Sequence, residues 1–151
     1  FLGLQLEYAK SLEKLDEYKD KKKITVIKSS RKLGSILNFK EENIRDNIKL
    51  GYYDTLRVLK EFDGRKYIFK KRGLWYYEYL LKNVNKKDKE EMMKFFGTKN
   101  AKRLVIKALE FVMKKENFTY FNIYKAKDVI KRIRYVDKNY GVYKFVKNMS
   151  V

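Results

Sequence analysis

Apolar residues recur along most of this chain at three- and four-residue steps, and that period predicts helices joined by a few short strands. Residues 2–19 place Leu4, Tyr8, Leu12 and Leu15 on one helical stripe, supplemented by Ala9 and closed by Lys21, Lys22 and Lys23. Cations at that end suit a helix C-terminus. The stretch ITVIKSS, residues 24–30, is short and rich in β-branched residues, which predicts a strand followed by a loop through Gly34. Asn38 can then cap a helix, with Glu41 in capping-box spacing. Along that helix Ile44, Ile48, Tyr52, Leu56 and Leu59 form the stripe expected to be buried. Gly51 sits beside it, where glycine costs about 1 kcal/mol against alanine. Close approach of a neighbouring backbone is the packing reading of Gly51, and a functional glycine is the alternative.

Asp63-Gly64 is a strong turn signal, and RKYIF after it predicts the second arm of a hairpin. Residues 74–84, LWYYEYLLKNV, are aromatic-dense and helical in pattern, and KKDKEEMMKFF gives an amphipathic helix stopping at Gly97. Ala101, Leu104, Val105, Ala108, Leu109 and Val112 make the cleanest helical stripe, and Ala126, Val129, Ile130 and Ile133 repeat it. FTYFNIY between them reads as extended, and Tyr140 onward as a last strand. No internal repeat is evident. The fold class expected is mainly α (α+β).

Charge changes this picture more than size does. Over residues 1–63, 14 Lys+Arg face 11 Asp+Glu, a net +3; over residues 64–151, 24 face 8, a net +16. The basic excess belongs to the second part, and such a field favours nucleic acid, acidic lipid headgroups or an acidic protein. A lysine-rich solubilising surface is the plainer reading. At 151 residues there is room for one ordinary domain or two very small ones. No run approaches the roughly 18 apolar residues of a membrane span. The expected location is cytoplasmic, with peripheral membrane contact. The chain begins at Phe1 rather than methionine and reads as a piece of something longer.

Histidine and cysteine are both absent. That removes the usual general base, the Ser-His pair, thiolate metal sites and most zinc chemistry. Asp63-Gly64 invites a catalytic reading, yet no serine stands in a G-x-S-x-G elbow. Gly34 and Gly51 are isolated, so no phosphate-cradling loop is present. The acidic pairs Glu41-Glu42 and Glu90-Glu91 lie among lysines, as solvated helix faces do. No catalytic residue, cofactor or metal site is expected. Seven cations are the candidates for an anionic surface: Lys70, Lys71, Arg72, Lys127, Lys131, Arg132 and Arg134.

Residues 24–59, ITVIKSSRKLGSILNFKEENIRDNIKLGYYDTLRVL, closely resemble the C-terminal part of bacterial patatin-like phospholipases. The likeness is carried by Ile27-Lys28-Ser29, Leu37-Asn38-Phe39 and the signature Gly51-Tyr52-Tyr53-Asp54-Thr55. Ser29 stands where the family often has proline, and DGRKYIF looks like the link some members place after the helix. The resemblance implies a parent enzyme that hydrolyses lipid acyl esters with a Ser-Asp dyad. Neither dyad motif maps onto this chain, and Gly51 and Tyr52 become packing signatures. Residues 1–63 would then close the catalytic α/β layer as helix, strand and helix. Residues 64–151 would be a basic, α-rich extension with a structural, dimerising or membrane-surface role. The partners implied are the upstream catalytic part, an anionic membrane surface and a second copy. The alternative is a winged-helix-like nucleic-acid module on residues 101–115 and 126–136. Against it, ENFTYFNIYKA is longer than a helix-turn-helix turn.

Overall fold

The computed structural model describes residues 25–31, 40–59 and 61–151. Among them are six helices: α1 Glu41–Val58, α2 Leu74–Leu80, α3 Lys86–Phe96, α4 Ala101–Lys115, α5 Ala126–Arg134 and α6 Gly141–Lys147. A small sheet is formed by β1 Phe62–Asp63, β2 Ile68–Lys70 and β3 Ile123–Tyr124. Its order is β1-β2-β3. The protein is mainly helical with this minor sheet, as its periodicity predicts.

Helix α4 is the axis of the structure. Leu104, Val105, Ala108, Leu109, Val112 and Met113 are buried on it, and α2, α3, α5 and α6 all pack against it. A helix covered on several sides is apolar over most of its circumference. The breaks beside it follow local chemistry. Gly97 ends α3 in the left-handed region at φ 59°, and the Thr98 amide bonds back to the Met93 carbonyl. Asn85 and Asn100 cap α3 and α4, their side chains accepting from the amides of Asp88 and Arg103.

The hairpin expected at Asp63-Gly64 is present. Strands β1 and β2 pair antiparallel with Asp63 opposite Phe69, so they pair across the boundary expected at residue 63. Strand β3 joins β2 in parallel, Ile68 opposite Ile123, after a crossover through three helices. Only Ile123–Tyr124 of FTYFNIY is strand.

Four local expectations are corrected. Residues 25–29 belong to no strand: no ladder partner lies beside them among the described residues. Helix α1 starts at Glu41 with Lys40 at the N-cap and no side-chain cap bond. Glu41 is thus the first helical residue rather than the third, and Asn38 lies outside the described residues, as do residues 2–19. The segment after Tyr140 is α6, not a strand, because Val142, Tyr143, Phe145, Val146 and Met149 meet the core at helical spacing. Short apolar runs are ambiguous between the two periods. The wing that the nucleic-acid alternative placed there is therefore a helix.

The fourth correction concerns α1. Ile48 is 68% exposed, Tyr52 61% and Leu59 60%, while Leu50 and Asp54 are buried on the opposite side. Asp54 is the reason. Its carboxylate accepts from the Ser30 amide at 2.9 Å and pairs with Arg57 at 2.5 Å. Tyr53 stacks on Phe121 on the same side, at 6.4 Å between centroids. A buried ion pair needs its partners at hand, and they lie on that face. Gly51 meets nothing either: a Cβ built there has no neighbour within 4 Å. Gly51 therefore makes no close backbone contact among the described residues, Tyr52 meets the Tyr53 ring edge-on at 5.3 Å between centroids, and Asp54 ties the helix down. Gly51→Ala should raise stability by about 0.5–1 kcal/mol through helix propensity alone. A higher denaturation midpoint is expected, and an unchanged one would contradict the open surroundings of Gly51.

Candidate anionic-surface site

The cations singled out in the sequence do not share one fate. Arg72, just after β2, and Lys127 and Lys131 on α5 converge around the exposed face of α2. With Lys125 they line a concave patch of about 410 Å³ together with Trp75, Tyr76 and Tyr79. Lys70 and Lys71 are exposed just before it. Arg132 points elsewhere, its guanidinium 4.3 Å from the Phe118 ring centroid. Arg134 is committed to structure, donating to the carbonyls of Lys147 at 3.3 Å and Met149 at 2.7 Å. It holds the end of α6, next to the Ser150 amide that donates to Leu80.

Helix α2 is short because it is wedged. Tyr77 and Leu80 are buried against α4, whereas Leu74, Trp75 and Tyr79 face outward. Trp75, the single tryptophan, is 71% exposed. Its indole folds back over Gly73, where a Cβ would lie 2.9 Å from the ring. Lys127 stands 5.2 Å from the Tyr79 centroid and Arg72 5.7 Å from that of Tyr76, both within cation–π range. Burial pushes the Tyr76 phenol above its ordinary range, while the Lys127 backbone and Arg72 act the other way. Asp128 is the one carboxylate among the lining residues.

Behind this patch, Asp63 is buried and fully engaged. It accepts from the Tyr77 hydroxyl at 2.8 Å and the Arg72 amide at 3.0 Å, and pairs with Lys102 at 2.5 Å. Burial, then the hydrogen bond to Asp63, raises the Tyr77 phenol far above its usual range. Through these partners Asp63 serves as the anchor of the hairpin. Glu110 is the second buried acid. Its Oε1 accepts from three consecutive amides, Arg65 and Lys66 at 2.6 Å and Tyr67 at 3.1 Å. Both carboxylates are structural, in agreement with the turn reading of Asp63-Gly64. Among the described residues no cluster of acids could hold a metal ion.

Sequence reasoning missed Trp75, Tyr79 and Lys125 as partners of Arg72 and Lys127. The aromatic density of LWYYEYL carried the signal, but the face it presents depends on how α2 docks on α4. Glu110 was also missed, although a lone acid inside the apolar stripe of α4 marks it. Among the described residues no helix is long and apolar enough to cross a membrane. No protein-family model, curated protein or solved structure matches this chain.

Proposed function

We propose that this chain is the non-catalytic C-terminal region of a patatin-like lipid acyl hydrolase, and that its helical part docks the enzyme on an anionic lipid surface. The observation that carries the docking is the patch of Arg72, Lys125, Lys127 and Lys131 around exposed Trp75 and Tyr79. Indole and phenol rings prefer the headgroup level of a bilayer, with one apolar side and one wet edge. Each Lys or Arg near an anionic leaflet contributes about 1 kcal/mol. Four of them, less the opposing Asp128, give roughly 3–4 kcal/mol, a dissociation constant in the millimolar range of lipid. The attachment is weak and reversible, which suits an enzyme that must leave its product.

The link to a lipid hydrolase rests on the resemblance of residues 24–59. It is supported by α1, whose exposed stripe of Ile44, Ile48, Tyr52 and Leu59 is the kind of face a helix turns toward a larger core. In this reading the upstream catalytic layer covers that stripe, while Asp54 and Arg57 hold the helix to Ser30.

Trp75 makes the test direct, because all tryptophan emission comes from the patch. Phosphatidylglycerol vesicles at low salt should shift the emission to the blue. Phosphatidylcholine vesicles should not, and salt of about 0.5 M should reverse the shift by screening. Lys127→Glu with Lys131→Glu should abolish it. Emission unchanged by anionic vesicles would refute the docking role. A shift produced instead by an oligonucleotide would favour the nucleic-acid alternative, since exposed aromatics among cations also stack bases.

A further inference from the structure

A second basic site lies on the hairpin side of α4 and shares no lining residue with the Trp75 patch. It is a groove of about 1120 Å³ between the β1–β2 loop, the α3–α4 corner and the length of α4. Seven basic side chains line it against one carboxylate, Glu110. Arg103, Lys107, Glu110 and Lys114 follow at steps of four, three and four, so they share one face of α4. From Arg103 to Lys114 that face runs about 16 Å. Arg65 and Lys66 on the hairpin loop form the opposite wall.

The walls are fixed to one another before any ligand arrives. Glu110 holds the amides of Arg65, Lys66 and Tyr67, joining the loop to α4. Lys107 donates to the Phe96 carbonyl at 2.6 Å and pins the end of α3. Lys102 pairs with Asp63. The remaining cations, Arg65, Lys66, Arg103, Lys114 and Lys115, have no carboxylate within ion-pair distance among the described residues. Five unpaired like charges around one concavity repel each other and lower stability. The single acid offsets only part of this repulsion, one negative charge among seven positive ones, with its Oε1 bound to backbone amides.

We infer that this groove binds a compact, soluble anion carrying several phosphate groups. Two walls of cations can reach such a ligand at once, and preorganised walls lose little entropy on binding. Arg65 and Arg103 offer forked donors suited to phosphate oxygens, and the lysines add point charges. No Trp or Tyr lines this groove to seat at a headgroup layer, and its two aromatics, Phe96 and Phe111, are half-buried. An extended nucleic acid needs a cationic track that continues past both ends.

The probe is inorganic triphosphate, titrated calorimetrically into the whole chain at low salt, beside inorganic phosphate and a 20-nucleotide single strand. Triphosphate should bind at least about tenfold more tightly than phosphate and raise the melting temperature with the logarithm of its concentration above the dissociation constant. Arg103→Glu and Lys114→Glu should each weaken it about tenfold or more, both being exposed positions that leave the fold intact by circular dichroism. Lys87→Glu on α3 changes the net charge equally outside the groove and should change affinity less than about twofold. The Trp75 emission should stay put when triphosphate binds, so this result stands or falls apart from vesicle docking. Equal losses in Arg103→Glu and Lys87→Glu would reduce the groove to a diffuse field and overturn the inference. So would a single strand that displaces triphosphate with an affinity that grows with its length.

Discussion

Gly64→Ala should be the most damaging single-methyl change in the described structure, costing about 3 kcal/mol or more. Gly64 has φ 94°, a conformation that costs an L-residue about 1–3 kcal/mol. Steric collision adds to that. The new Cβ would strike the Tyr67 carbonyl oxygen and lie 2.9 Å from Cδ2 of Phe69. Neither can yield cheaply, because Tyr67 and Phe69 are buried at 1% and 0% exposure. Overpacking of this kind costs about 1–3 kcal/mol more. Against a total stability of about 5–15 kcal/mol, the sum is a large fraction. Urea denaturation should show a midpoint well below that of the parent, and a loss under about 1 kcal/mol would mean that the hairpin loop rearranges freely.

Glu110→Ala should cost about 2–4 kcal/mol, through the amides rather than the packing. Three consecutive donors converge on one oxygen, and a buried donor left without a partner costs about 1–3 kcal/mol. The amides of Arg65 and Lys66 belong to exposed residues and recover part of this from water; Tyr67 is buried and does not. Glu110→Gln keeps an acceptor oxygen and should lose roughly half as much, since bonds to a charged group are the stronger. Hydrogen exchange supplies the specific readout. The Tyr67 amide should lose protection in Glu110→Ala far more than the α4 amides do. Uniform loss across both would place the role of Glu110 in the core at large.

These two residues also show where legibility ends. Asp63-Gly64 was readable as a turn, because a left-handed residue and a preceding aspartate are local requirements. That Glu110, more than 40 residues on, closes the loop was not: its place among apolar neighbours marks it as unusual, but nothing local names the amides it meets. The same limit explains α1. Its apolar stripe was read correctly as a stripe, and among the described residues it faces outward. Asp54 and Arg57 form a three-residue step that looks like surface charge in sequence, yet they are the buried face. Among the candidate cations, Arg72, Lys127 and Lys131 converge while Arg132 and Arg134 serve an aromatic ring and the α6 carbonyls. Identical side chains part company because docking of α2 and α6 on α4 sets which neighbours each can reach.

Residue types and their spacing were enough for the helical class, the bounds of α3 and α4, the start of α5, the hairpin at Asp63-Gly64 and the lack of histidine and cysteine chemistry. All of these depend on residue type and on neighbours within about one helical turn, where caps, glycine stops and periodicity act. Packing between elements set the helix after Tyr140, the outward turn of the apolar stripe on α1, and the two separate basic sites, one around α2 and α5 and one along α4. Each of those is a choice between faces or periods of nearly equal local energy. Such choices are settled by contacts between residues far apart in the chain, where burial of Val146 or the bond from the Ser30 amide to Asp54 outweighs any local preference.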